Sequence, residues 1–296
     1  MRRALDGVLL LDKPAGLGSN AALQTAKRLY RAAKAGHAGT LDPLASGLLP
    51  VLFGEATKFS QFALDADKEY VAHARLGVTT TTGDAEGEVL ERRGVAVPAQ
   101  ALEPVLARFR GEIEQVPPMH SALKHGGRPL YELARQGLEV ARRARRVRVH
   151  ALDLLGFDGE TLELRVRCSK GTYVRTLAED LGRALGCGAH LSALRRVVAG
   201  RFNVADAATL ESLAAETPEA RDRRLLPAEG LLEGLPRVDL PDALAARFAR
   251  GQVLTLEDAP EGRCRVYAPH GRLLGLGEGQ GRSELHPRRL LSYASG

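Results

Sequence analysis

One carboxylate in this chain stands in a setting that suits chemistry. Asp42 lies within His37-Ala38-Gly39-Thr40-Leu41-Asp42-Pro43-Leu44-Ala45-Ser46-Gly47, a segment bounded by glycines and stiffened by Pro43. Such a loop holds a side chain outward on a rigid scaffold, as a nucleophilic or general-base carboxylate requires. The plainer alternative is a turn former or helix N-cap, since Asp-Pro commonly starts turns. Two further groups are Lys68-Glu69-Tyr70 and Gly171-Thr172-Tyr173-Val174-Arg175. Each Tyr stands at the start of a predicted element, where its ring can face a cleft, stack on a base or accept a proton once activated. Core packing with the hydroxyl satisfied is the other reading. Arg175 follows Tyr173 by two, so an extended backbone projects both to one side. Beside Asp42 its guanidinium would keep the carboxylate ionised; on the surface it would only be solvated.

Other chemistries find little support. The acidic run Gly83-Asp84-Ala85-Glu86-Gly87-Glu88 lacks an EF-hand ligand pattern and reads as a solvated turn. The histidines do not spell HExxH, and the glycines form neither a P-loop nor a dinucleotide fingerprint. Cys168, Cys187 and Cys264 are odd in number and make no CxxC pair, which argues against a disulfide framework or zinc ribbon and for a reducing compartment. A metallohydrolase, NTPase or Rossmann oxidoreductase would therefore need support that these motifs do not give.

Charge points to a polyanion. The chain carries 42 Lys and Arg against 36 Asp and Glu, a net +6. Between His120 and His150, eight cations (Lys124, Arg128, Arg135, Arg142, Arg143, Arg145, Arg146, Arg148) face Glu132 and Glu139, a local +6. Arg142 to Arg148 holds five arginines in seven residues, a phosphate-binding edge in character. Gly126-Gly127 and Gly137 suggest an insertion able to move onto its ligand.

The elements needed to position these groups are legible in outline. Residues 7–12 (GVLLLD) read as a buried strand, followed by a turn at 13–16. Ser19 or Asn20 caps a helix predicted to run to about Lys34, with Gly36 as its stop. Residues 37–50 read as a shaped loop. Glu69–Leu76 and Leu162–Cys168 alternate as strands, and helices are predicted over Ala101–Phe109 and Val174–Leu185. Past Leu235, short β-like runs at 252–256, 263–267 and 272–276 suggest a small barrel. The 296 residues, 44% hydrophobic, suffice for one large or two modest domains. The apolar run Val8–Leu11 is too short for a leader and no stretch spans a bilayer, so a cytoplasmic protein is expected.

Taken together, GVLLLDKPAGLGSN (7–20), AGHAGTLDPLASGLLPV (35–51), GEATKFSQF (54–62), DKEYVAHARLG (67–77), QVPPMHSALKHGGRPLYELARQG (115–137) and CSKGTYVRTLAEDLGRALGCGAHLSALRR (168–196) resemble the TruB family of tRNA pseudouridine synthases. The resemblance covers nearly the whole chain and is most specific at GTLDPLASG. It implies an α+β pseudouridine synthase fold with a mixed, mainly antiparallel sheet over 1–234, carrying an RNA-gripping insertion at about 118–148. It further implies a small β-rich PUA-like RNA-binding domain over 235–296. The activity implied is isomerisation of uridine 55 in the T loop of tRNA, without cofactor, metal or obligate protein partner. By motif match Asp42 is the nucleophile, Tyr70 lies against the base, Arg175 pairs with Asp42, Tyr173 and Leu194 line the uridine pocket, and His37 packs among the flipped nucleotides. Lys124, Arg128, Arg142, Arg143, Arg145 and Arg146 are the expected RNA-binding cations. Competing readings are an RNA-binding or RNA-folding protein without catalysis, and a metal-dependent nuclease using Asp42, Asp84 and Glu86.

Overall fold

The computed structural model describes residues 2–121, 123–281 and 283–292, and of Arg135 the backbone alone. Strands alternate buried and outward residues where the sequence alternates. In β1 (Gly7–Lys13), β2 (Ala35–His37), β3 (Ser46–Phe53), β4 (Lys68–Leu76), β5 (Gly111–Gln115), β6 (Arg145–Phe157), β7 (Thr161–Cys168), β8 (Ala189–Ala199) and β9 (Ala208–Thr209), hydrogen bonding builds one large sheet. Its order is β9-β1-β3-β8-β4-β7-β6-β5, with β2 on β3 and the short 202–203 strand on β8. The β1–β9 and β3–β8 pairs are parallel, while the other named pairs are antiparallel. This is the mixed, mainly antiparallel sheet expected. In β7, Leu162, Leu164, Val166 and Cys168 are buried between outward-facing charges, the two-residue period of a sheet with one packed face.

Helix α1 (Ser19–Leu29) lays Ala22, Leu23 and Ala26 on the core. It is shorter than its periodicity suggests. Tyr30 caps it, and Arg31 turns into the left-handed region at φ 52°. Gly36 is therefore no helix stop but a residue of β2, paired with Leu52, and the shaped loop narrows to residues 38–45. Ser19 is the first helical residue after Gly18, and its hydroxyl is spent elsewhere than on a cap. Helix α3 (Val174–Ala184) packs along β8. Gly182 sits so close to β8 that a Cβ there would stand 2.2 Å from the Ala189 nitrogen.

The insertion is smaller than 118–148. Arg145–Arg148 already pair with β5 as the start of β6, leaving a hairpin (124–125 with 128–129) and a helix, Leu130–Arg135, anchored by buried Leu130 and Leu133. Beyond residue 235, strands at 237–239, 262–268, 272–280, 284–290 and 254–255 form a separate five-stranded sheet in that order. It has its own core around Phe248, Cys264 and Val266. Yet Tyr267, Leu273 and Leu276 share a second core with Val8, Leu48, Leu52 and Phe59 of the first sheet. Of the proposed division at 234 and 235, residues 1, 122, 282 and 293–296 lie outside the described chain.

Gly182→Ala would force α3 off β8, because the colliding atoms are backbone and cannot rotate away. The substitution should destabilise the fold by about 3 kcal/mol. Urea denaturation reads the change, and an unmoved midpoint would mean that α3 and β8 are not so closely apposed.

Candidate active site

The Asp42 loop is held from below on several sides. The Ser19 hydroxyl donates to the Leu41 carbonyl and accepts from the Leu41 N–H, both at 2.8 Å. Gly16 N–H donates to the Pro43 carbonyl at 2.7 Å, joining the 13–16 turn to the loop. Arg196, 1% exposed, donates through Nε to Leu48 O (2.7 Å) and through Nη2 to Gly39 O (2.8 Å), gripping both ends. Gly47 allows this approach. At φ +98°, its Cβ would stand 2.3 Å from the Arg196 carbonyl. Lys13, fully buried, donates to the Pro14 and Leu17 carbonyls, and burial lowers its pKa to about 8 against the opposing field of Asp42.

The loop delivers Asp42 to Arg175. Nη2 of Arg175 stands 3.0 Å from Asp42 Oδ2 and donates to the His120 carbonyl at 2.6 Å. Nη1 donates to Thr82 O at 3.1 Å and lies 3.5 Å from Asp84 Oδ2. Asp84 corrects the sequence reading: it is no solvated turn residue but 3% exposed, accepting from the Thr82 hydroxyl (2.5 Å) and the Glu86 N–H (3.1 Å). A guanidinium thus occupies the space between the two carboxylates, where a shared cation would have to sit. That arrangement disfavours the nuclease reading. Burial raises the pKa of Asp42 while Arg175 opposes the rise, and the 42% of the side chain left open limits the desolvation.

A cavity of about 330 Å³ opens beside Asp42, at the small end for ligand pockets. Its floor comes from two neighbouring strands. Tyr70 of β4 pairs with Arg196 of β8, and Ala72 with Leu194, so Lys68, Tyr70, Leu194 and Arg196 share one face at period two. Tyr70 is half-buried. Burial raises its phenol while the Arg196 guanidinium beside it opposes the rise. Lys68 donates to the Ala63, Leu64 and Ala66 carbonyls and is lowered to about 8 by burial. Tyr173 and Arg175 form the facing wall. Tyr173 precedes α3, and Gln115 of β5 clips its backbone, accepting from the Tyr173 N–H at 3.0 Å and donating to its carbonyl at 3.3 Å. The pair meets the cavity from a helix start, not from the extended stretch expected.

Asp42, Tyr70, Tyr173, Arg175 and Leu194 therefore converge on one cavity. His37 does not line the cavity. It sits on β2 opposite Val51, with its buried Nδ1 unpartnered and its pKa lowered first by burial, then by Arg196. The expected RNA-binding cations divide. Lys124, Arg128, Arg143, Arg145 and Arg146 are exposed, but Arg142 turns back to Pro117 O (3.2 Å) and Glu139 (3.0 Å). The run is also less naked than its sequence, because Glu112 and Glu114 of β5 reach Arg148 (3.2 Å) and Arg146 (3.9 Å). Arg196 and Gln115 escaped the sequence reading, while Ser19 and Asp84 were read in other roles, as a helix cap and as a solvated turn residue or nuclease carboxylate.

Comparison with known proteins shows the family of the chain. Residues 27–174 match the model described as TruB family pseudouridylate synthase (N terminal domain), residues 175–233 the tRNA pseudouridylate synthase B C-terminal domain, and residues 236–291 the C-terminal domain of pseudouridine synthase II TruB. The chain belongs to the TruB family. It is 57% identical over 295 residues to tRNA pseudouridine synthase B of Azoarcus sp. (strain BH72), covering 100% of this chain and 98% of that one. Against the protein of the same description from Burkholderia mallei (strain NCTC 10247), identity is 58% over 297 residues, covering 98% of each. The archaeal box H/ACA sRNP Nop10-Cbf5 complex contains a similar fold, with TM-score 0.73 and 27% identity over 96% of this chain and 85% of that one. An H/ACA RNP bound to a substrate RNA containing 2'-deoxyuridine gives 0.74 and 27% over 97% and 85%. This TruB chain is thus a pseudouridine synthase in fold and family. No helix among its described residues is long and apolar enough to cross a membrane.

Ser19→Ala would leave the Leu41 amide and carbonyl without their buried partner. The expected cost is about 2 kcal/mol in denaturant unfolding. The Leu41 amide, protected in the wild type, should exchange faster with solvent. Unchanged exchange would show that the loop is held without Ser19.

Proposed function

We propose that this chain isomerises uridine 55 in the T loop of tRNA to pseudouridine, with Asp42 as the essential carboxylate. The observation that carries the reading is the Asp42 carboxylate at 3.0 Å from buried Arg175, open to a cavity floored by Tyr70 and Leu194. Relatives matching the chain end to end are tRNA pseudouridine synthases.

The reaction breaks N1–C1′, turns the uracil and rejoins it through C5, moving the C5 proton off carbon while N1 gains one. Stacked in the T loop, the uridine cannot present these atoms, so the nucleotide must be flipped into the cavity. Arg175 keeps Asp42 anionic despite burial. The carboxylate serves by adding to C1′ or C6 or by taking a sugar proton. Tyr70 lies against the base and takes the C5 proton as its phenolate, the form that the Arg196 cation beside it favours against burial. Leu194 and Tyr173 exclude water that would otherwise intercept the detached uracil. His37, outside the cavity, meets nucleotides next to the flipped one. Exposed Lys124, Arg128, Arg143, Arg145 and Arg146 hold phosphates of the T arm, while Arg142 braces the insertion. The chain acts in the cytoplasm, without a protein partner.

The test is tritium release from [5-³H]uridine-labelled tRNA transcript by the purified chain with EDTA present. Wild type should release tritium, and Asp42→Asn should bind the transcript with near-normal affinity and release none. Binding without release by the wild type would replace catalysis with an RNA-folding role. For the insertion, Arg143→Gln/Arg145→Gln/Arg146→Gln should weaken binding and reduce the slope of log K against log salt by about 2 to 3. An unchanged slope would make that edge a merely solvated face.

A further inference from the structure

Strand β5 closes one end of the large sheet, bonded to β6 along one edge and to no strand of that sheet along the other. It ends in Gln115, a polar side chain only 2% exposed. Both of its terminal atoms are spent on a single residue, since the oxygen accepts from the Tyr173 N–H at 3.0 Å and the amide donates to the Tyr173 carbonyl at 3.3 Å. The chain beyond Gln115 keeps to the same wall. Pro117 O accepts from Arg142 at 3.2 Å, His120 O accepts from Arg175 at 2.6 Å, and Ser121 lines the Asp42 cavity. Ser121 O then accepts from the Tyr131 N–H of helix α2 (Leu130–Arg135) at 3.1 Å. Residues 115–121 thus run as a strut from the sheet end to the insertion and meet the Arg175 guanidinium on the way.

We propose that Gln115 is a positioning residue for the reaction, which sets where the Tyr173 ring and the Arg175 guanidinium stand against Asp42 by clamping the Tyr173 backbone to the sheet. The inference rests on the reading of the chain as a uridine isomerase and deepens it. Tyr173 is the extended residue at which α3 begins, with φ −103° and ψ 109°, so its N–H lies outside the helical ladder. Arg175 follows two residues later. A shift at Tyr173 is therefore passed to Arg175 Nη2, which stands 3.0 Å from Asp42 Oδ2. At that separation the contact is a charge-assisted hydrogen bond, and a displacement of about 1 Å carries it out of hydrogen-bond range. Misplacement of that size in an active site costs a rate factor on the order of 100.

The alternative is a bond that only stabilises the fold. Two observations weigh against it. Packing alone would be served by an apolar side chain at so buried a place, without the cost of taking an amide out of water. A bond meant to stabilise the start of a helix ordinarily comes from the residue just before it and satisfies the amides of the first turn. Tyr173 makes no such side-chain cap, and the Gln115 amide, 58 residues away in sequence, does not reach the first turn either. It grips the one residue whose ring enters the cavity wall.

The test compares the full-length wild type with Gln115→Met, which keeps the volume and loses both amide bonds. The single-turnover rate of tritium release from labelled tRNA transcript should fall by about tenfold or more. Kd for the transcript should stay within about threefold, because the cations of the insertion are untouched. The Tyr173 amide should exchange faster with solvent. Gln115→Glu, which keeps an oxygen to accept from the Tyr173 N–H, should recover part of the rate. If Gln115→Met does not fold, Gln115→Asn, whose amide is one methylene too short to reach Tyr173, is read by the same criteria. Faster Tyr173 exchange with an unchanged rate would overturn the proposal and leave a bond that only stabilises the fold. A loss confined to Kd would overturn it as well, since that would mean a displaced insertion. Should the wild type release no tritium, the enzymatic reading fails and takes this inference with it, whereas an active wild type beside an unimpaired variant defeats the inference alone.

Discussion

The guanidinium of Arg175 is the constraint around which the rest is arranged. A cation 5% exposed is tolerated only when charge and hydrogen bonds replace the water it has lost. Four acceptors from three places in the chain supply that replacement: Asp42, the 82–84 turn with Thr82 and Asp84, and His120. Each then becomes fixed by the need to meet the same planar group. Asp84 satisfies it from behind, which leaves Asp42 the acceptor whose other oxygen can face a ligand. The protein thereby holds a carboxylate, whose neutral form burial favours, paired with a cation and partly exposed at the edge of a cavity with both polar and apolar walls.

The scaffold explains how this geometry survives thermal motion. The cavity floor belongs to β4 and β8, central strands bonded on both edges. The facing wall belongs to a helix start held by Gln115. The reactive loop is pinned at Leu41 by Ser19 and gripped by Arg196. The groups that floor and wall the cavity thus ride on regular structure, and the loop is reduced to a short arm between fixed ends. The insertion joins the same network at one point, since the His120 carbonyl accepts from Arg175.

Much of this was legible in the chain. The loop singled Asp42 out without deciding between turn former and reactive carboxylate, and alternation located β4 and β7, because a sheet with one packed face imprints a period of two on its residues. The mixed sheet and the cluster of Asp42, Tyr70, Tyr173, Arg175 and Leu194 followed from matched motifs. What escaped was of another kind. Asp84 looked solvated because acidic turns usually are, and only the arrival of Arg175 from 91 residues away buries it. Ser19 looked like a cap because Ser at a helix start usually is, and only the apposition of Leu41 redirects its hydroxyl. Arg142 counted as a free cation until Pro117 and Glu139 met it. Helix α1 ends early because Arg31 goes left-handed, a change that apolar spacing does not encode. Local pattern reports periodicity and not the partner that tertiary folding brings.

The core shared by the two sheets bears on inheritance. Tyr267, Leu273 and Leu276 cover Val8, Leu48, Leu52 and Phe59, and Leu48 and Leu52 lie on the strand that follows the Asp42 loop. A chain cut after residue 234 would bare that apolar surface to water, so the terminal sheet is not a detachable accessory. Lineages could not gain or shed it by simple fusion without recomposing those side chains in step. The two sheets are accordingly bound to evolve as one cooperative body, with the surface of one answering substitutions in the other.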